Sequence, residues 1–67
     1  MKSLKENLKA LRIADGKTQQ QVANETGISR SAYSNYEQGL REPDVDTIKK
    51  LCIYFQVSAD YLLGLED

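Results

Sequence analysis

The sequence contains no histidine and a single cysteine, Cys52. Zinc sites built from clusters of those two residue types are thereby excluded, and so is an intramolecular disulfide. Cys52 stands among apolar neighbours on an expected helix and reads as a small buried hydrophobe rather than a redox group. No apolar run approaches the roughly 20 residues of a membrane span, and the start of the chain has no signal-peptide core. These absences predict a cytoplasmic protein that does not engage membranes. There is also no paired-carboxylate pocket, no phosphate loop and too little chain for a cleft that excludes water, so catalysis is not expected. Neither is a cofactor, a metal or a small-molecule ligand. A basic surplus is missing as well. The net charge is −1, whereas nucleic-acid-binding domains are commonly basic.

What is present fits one domain, residues 1–67. A chain this short buries only about 60% of its unfolded surface, which predicts a modest core and a stability of a few kcal/mol. The charge is unevenly spread. Residues 1–30 hold six bases (Lys2, Lys5, Lys9, Arg12, Lys17, Arg30) against three acids, a balance of +3. Residues 31–67 hold three bases (Arg41, Lys49, Lys50) against seven acids, a balance of −4. A nucleic acid would meet the first pole and be turned from the second.

The best-specified stretch is TQQQVANETGISRSAYSNYEQ, residues 18–38. Thr18 and Gln21 form a capping box, so a helix starts there, and Gly27 stops it because glycine takes the left-handed conformation without steric cost. Ser29 is the next N-cap, and Ile28 with Tyr33 occupies the positions of a hydrophobic staple. Tyr33 and Tyr36 share one face of this second helix and are expected to pack on Val22, Ala23 and Ile28. Arg30, Ser31, Ser34 and Asn35 then fall on the opposite face. A short polar surface of Arg, Ser and Asn suits a DNA major groove, where Arg matches the guanine acceptors and Asn matches adenine. Helix pairs joined at a glycine also occur in many all-helical domains without that use. The spacing of small, apolar and glycine positions over about 20 residues fits a helix-turn-helix.

On either side the pattern stays helical. Ser3 and Glu6 make a capping box for a first helix along which Leu4, Leu8 and Leu11 recur, ending near Asp15 and Gly16. Lys2, Lys5 and Lys9 lie off that stripe on a face that reads as solvated, with approach to phosphate the alternative for one or two of them. After Gly39 the loop QGLREPD leads to Pro43 and to Asp44 as the N-cap of a fourth helix, about 44–56. Val45, Ile48, Leu51, Cys52 and Phe55 are expected on its core stripe, with Ile53 and Tyr54 outside it. A short fifth helix, capped by Ser58 and stapled by Val57 and Leu62, ends at Gly64. The expectation is an all-α, compact five-helix domain.

Leu8 with Arg12, TQQQVA, GIS, YEQG, Pro43 and VSADYLLG, in that order, resemble the phage repressor and Cro family of helix-turn-helix proteins, also called the xenobiotic-response-element family. The resemblance runs over nearly the whole chain. It departs at Thr26, where the family usually has an aliphatic residue. It implies a lambda-repressor-like fold and a sequence-specific regulator of transcription, acting as a repressor on double-stranded DNA. It further implies that Arg12 pairs with Glu37 inside the protein, and that Gln19, Gln38 and Arg41 match positions that hold DNA phosphates, with a solvated loop charge an equal alternative for Arg41. Ser29 is a further phosphate candidate, and the outward-facing Arg30, Ser31, Ser34 and Asn35 are expected to read bases. About four reading side chains are too few to single out a genomic site, so a homodimer on a palindromic operator is expected. Ile53, Tyr54, Tyr61 and Leu65 are the candidate dimer contacts. The alternative is a protein-interaction module, an antitoxin or adaptor, with weak or no DNA binding.

Overall fold

Capping and apolar period together divide the chain into five helices. A computed structural model describes residues 3–65, with α1 at Leu4–Ala14, α2 at Gln19–Thr26, α3 at Arg30–Gln38, α4 at Val45–Phe55 and α5 at Ala59–Leu62. Ser3, Thr18, Ser29, Asp44 and Ser58 are the five N-caps, each supplying a short polar side chain where a helix start leaves its amides unsatisfied. Among the described residues there is no strand.

The core is one cluster of Leu8, Val22, Ala23, Tyr33, Tyr36, Leu51, Phe55 and Leu62. Both α1 and α2 pack on α3, α5 closes against α1 and α4, and α4 meets α2. Leu4, Leu11, Ile28 and Ile48 pack against the cluster from its margins. Thr26 completes α2 in its own way: its hydroxyl donates to the Val22 carbonyl at 2.7 Å, so the polar atom is satisfied inside the helix and the side chain is half-buried.

Two positions on α4 differ from the expected stripe. Val45 is 67% exposed, because it opens the helix where the facing core runs out, and Pro43, just ahead of the cap, is buried instead. Tyr54 is not outside the core. It is half-buried against the cluster, its ring edge-on to Phe55 at 4.9 Å between centroids. Cys52 is half-buried rather than enclosed, and burial pushes its thiol above the ordinary range, which keeps it in the unreactive protonated form.

Asn7 is a buried polar residue that apolar periodicity passes over. Its side-chain amide donates to the carbonyls of Tyr61 at 3.0 Å and Leu62 at 3.3 Å. Carbonyls in the last turn of a helix lack intrahelical donors. Asn7 therefore satisfies the end of α5 and ties it to α1.

Candidate nucleic-acid interface

The α2–α3 pair is fixed by contacts within a few residues of each turn. The Thr18 hydroxyl accepts from the Gln21 amide at 3.1 Å and the Gln21 side chain accepts from the Thr18 amide at 2.8 Å. Gly27 takes φ 76°, and the Ile28 amide closes the turn on the Ala23 carbonyl at 3.0 Å. The Ser29 hydroxyl then accepts from the Ala32 amide at 3.1 Å. With Tyr33 and Tyr36 buried, the outer face of α3 has no freedom to turn inward.

That outer face carries Arg30, Ser31, Ser34 and Asn35, which together line one shallow open concavity. Arg30 and Ser31 are exposed, and Ser34 and Asn35 are half-exposed. Gln38 donates to the Ser34 hydroxyl at 2.8 Å, leaving that hydroxyl its own proton to donate outward. The structure thus brings the four expected base-reading residues to one surface.

Behind it stands the pair expected from Arg12 and Glu37. Arg12 donates through Nε to Glu37 Oε2 at 2.8 Å and through Nη2 to Oε1 at 3.1 Å, while Nη1 donates to the Lys17 carbonyl at 3.0 Å. Side-chain exposure is 15% for Arg12 and 3% for Glu37, so the bidentate contact is screened little by water. Burial works to raise the Glu37 carboxyl, but the hydrogen bond from Arg12 and its neighbours outweigh it and hold the carboxyl below the usual range. Hydrogen bonding to Glu37 raises the Arg12 guanidinium. The Tyr33 hydroxyl is buried beside this pair without a hydrogen bond of good geometry; burial, reinforced by the nearby carboxylate, drives its ionisation far above the ordinary value. Tyr33 stays neutral.

The expected phosphate contacts divide. Gln38 and Arg41 are exposed, Arg41 on the loop after α3. Gln19 is half-buried, and its side-chain amide donates to Glu37 Oε1 at 3.2 Å, which makes it a third member of the Arg12–Glu37 clamp. Ser29 spends its oxygen on the α3 cap but keeps its hydroxyl proton.

Sequence reading missed a second polar cluster. Lys17 Nζ lies 2.8 Å from Glu25 Oε1 and 2.7 Å from the Tyr54 hydroxyl, and 4.8 Å from the Tyr54 ring centroid. Tyr54 also donates to Glu25. The Glu25 hydrogen bond raises the Lys17 ammonium, and the same contact lowers Glu25. Arg12 and Lys17 are therefore both engaged by carboxylates of the same molecule, so the basic pole of residues 1–30 has fewer charges to offer than its +3 balance implies.

Of the candidate dimer contacts, Ile53, Tyr61 and Leu65 are exposed. Tyr54 presents only part of its ring. No helix among the described residues is long and apolar enough to cross a membrane.

Known proteins share the sequence pattern and the fold of this chain. The chain is 43% identical over 65 residues to the HTH-type transcriptional regulator ImmR of Bacillus subtilis (strain 168), covering 97% of this chain and 51% of that protein. It is 39% identical over 61 residues to the cryptic phage CTXphi transcriptional repressor RstR of Vibrio cholerae, covering 91% of this chain and 54% of that one. A crystal structure of a transcriptional regulator from Listeria innocua superposes with a TM-score of 0.87 at 28% identity, over 97% of this chain and 61% of the other. The chain spans about half the length of the curated relatives it matches. Residues 8–62 match the helix-turn-helix family, which takes in α2, its glycine turn, α3 and the helices that clamp them, and the chain belongs to that family.

Proposed function

We propose that the chain is the DNA-binding module of a cytoplasmic transcription regulator, with α3 as the element that enters the major groove. The observation that carries this reading is the outer face of α3, where Arg30, Ser31, Ser34 and Asn35 line one surface on a helix held from behind by Arg12 and Glu37. Arg30 and Asn35 have the donor and acceptor patterns that distinguish guanine and adenine in that groove. Gln38, Arg41, Ser29 and the start of α2 at Gln19 flank the face and serve as contacts to the phosphate backbone, which position the protein without reading sequence. Occupancy of an operator then blocks transcription; one relative is named a transcriptional repressor. The module has no catalytic step.

Selection from random duplexes followed by gel shift tests the reading. A strong consensus with two related half-sites supports a regulator that binds as a pair. Recovery of no consensus supports instead an interaction module, which the net charge of −1 and the exposed Ile53 and Leu65 would suit.

A further inference from the structure

Lys5 belongs to α1, yet its side chain lies across the end of α3. Gly39 ends α3 in the left-handed conformation, φ 75°, and a Cβ built there would stand 2.8 Å from Lys5 Cδ and 3.6 Å from Lys5 Nζ. The aliphatic stem is thus packed on the Gly39 backbone, and the ammonium is carried beside the last turn of α3. Lys5 and Arg41 line one concavity around Gly39, over a floor that includes Tyr36 and Pro43. Glu42 is on the same rim, but no ion pair among the described residues joins it to either base. Lys5 and Arg41 differ in this from Arg12 and Lys17, whose charges are already engaged.

We propose that Lys5 is a further anchor of the DNA-binding face, contacting the same phosphate strand as Arg41; this rests on the DNA reading above. A helix of 9 residues is about 13.5 Å long, close to the ~12 Å width of the major groove. Seated there, α3 brings its last turn to a flanking backbone. The carbonyl end of a helix carries partial negative charge and by itself repels phosphate. An ammonium over that end reverses the sign of the local field. Because its stem is packed on Gly39, the side chain loses less freedom on making the contact than a fully solvated lysine does.

The competing role is structural, with the ammonium serving only to neutralise the end of α3. Lys5→Met separates the two, since it keeps a stem of similar shape without the charge. Binding of the 67-residue chain to a pool of random-sequence duplexes is measured between about 50 and 200 mM salt, where one phosphate contact changes the affinity ratio of wild type to variant by about 3.5-fold. The expected result is weaker binding by Lys5→Met, a ratio that falls by that factor across the range, an unchanged melting temperature, and recovery of the slope in Lys5→Arg. An unchanged slope overturns the proposal, whether or not the melting temperature drops. A wild-type chain that binds no duplex overturns the DNA reading itself and Lys5 with it, and that failure is told apart because it appears before any substitution is made.

Discussion

Both oxygens of Glu37 are occupied, Oε2 by Arg12 Nε and Oε1 by Arg12 Nη2 and Gln19. A buried charge satisfied this fully is tolerable, and the same charge with a partner removed is not. Glu37→Ala is expected to cost about 3–5 kcal/mol by stranding Arg12, a large part of the stability of so small a domain. The Glu37 carboxyl is lowered in the folded state relative to an unfolded value of about 4.3. Its stabilisation is therefore complete above that unfolded value and is lost as pH falls through the folded one. Thermal melts from pH 7 down should show wild type losing stability in acid more steeply than Glu37→Ala; parallel curves would remove Glu37 from the account. Tyr33→Phe should behave in the opposite way. The hydroxyl is buried without a good hydrogen bond, so deleting it removes a desolvation cost, and the melting temperature should hold or rise. A fall of several degrees would mean that the hydroxyl is bonded to the Arg12–Glu37 pair. At the surface, Arg30→Ala should lose about 1–3 kcal/mol on the preferred duplex and relax selectivity at one position. Selection on that variant returning the parental consensus at parental affinity would show that Arg30 does not read bases.

At the scale of elements, α2 and α3 were legible because each of their signals acts over three to five residues: Thr18 with Gln21, Gly27 at its positive φ, Ser29 with Ala32. Signals that act across the chain were not. The Lys17–Tyr54 contact joins residues 37 apart, and nothing local at either position announces it. Arg12 and Glu37 are 25 apart, and their pairing came from family resemblance rather than from spacing. Val45 was placed on the core stripe because the helical period continues to it, but a period cannot say where the opposing surface stops. Asn7 was passed over for a different reason. It falls beside Leu4, Leu8 and Leu11 on the stripe of α1, a position that alone marks it as inward, and only its polarity hid it. Its two hydrogen bonds make α5 depend on α1, since α5 is a single turn of 4 residues and such a turn is unstable in isolation. Asn7→Ala should cost about 1–3 kcal/mol, the penalty for leaving a buried acceptor without its donor. Amide exchange should speed up in α5 before it does in α2 and α3. Uniform acceleration across all five helices would show instead that α5 unfolds only with the rest.

For the whole molecule, the proposed role as a regulator asks for more specificity than one copy can supply. The four α3 side chains proposed to read bases would discriminate among a few base pairs, while a genome offers about a million or more competing sites. Two copies related by a two-fold axis would set their recognition helices about 34 Å apart and meet a roughly palindromic operator. Exposed apolar side chains outside α3 are available for such a pairing: Ile53 is 78% and Leu65 66% exposed, and Tyr61 is 45% exposed. Tyr54 adds little, because its hydroxyl is held by Lys17 and Glu25 and part of its ring by Phe55. A few apolar side chains fall short of the roughly 800 Å² per partner of a standard stable interface. The pair should accordingly be weak in free solution and form cooperatively on DNA. Tyr61→Asp places a charge at one of these side chains without touching α3, and since Tyr61 meets Asn7 only through its main-chain carbonyl, the α1–α5 tie should survive it. The variant should lose cooperativity on a full operator and keep wild-type affinity for a half-site. Analytical ultracentrifugation on both duplexes decides the matter. One protomer per full operator in the wild type rules the pair out, and loss of half-site binding in Tyr61→Asp would place Tyr61 among the residues that hold the fold.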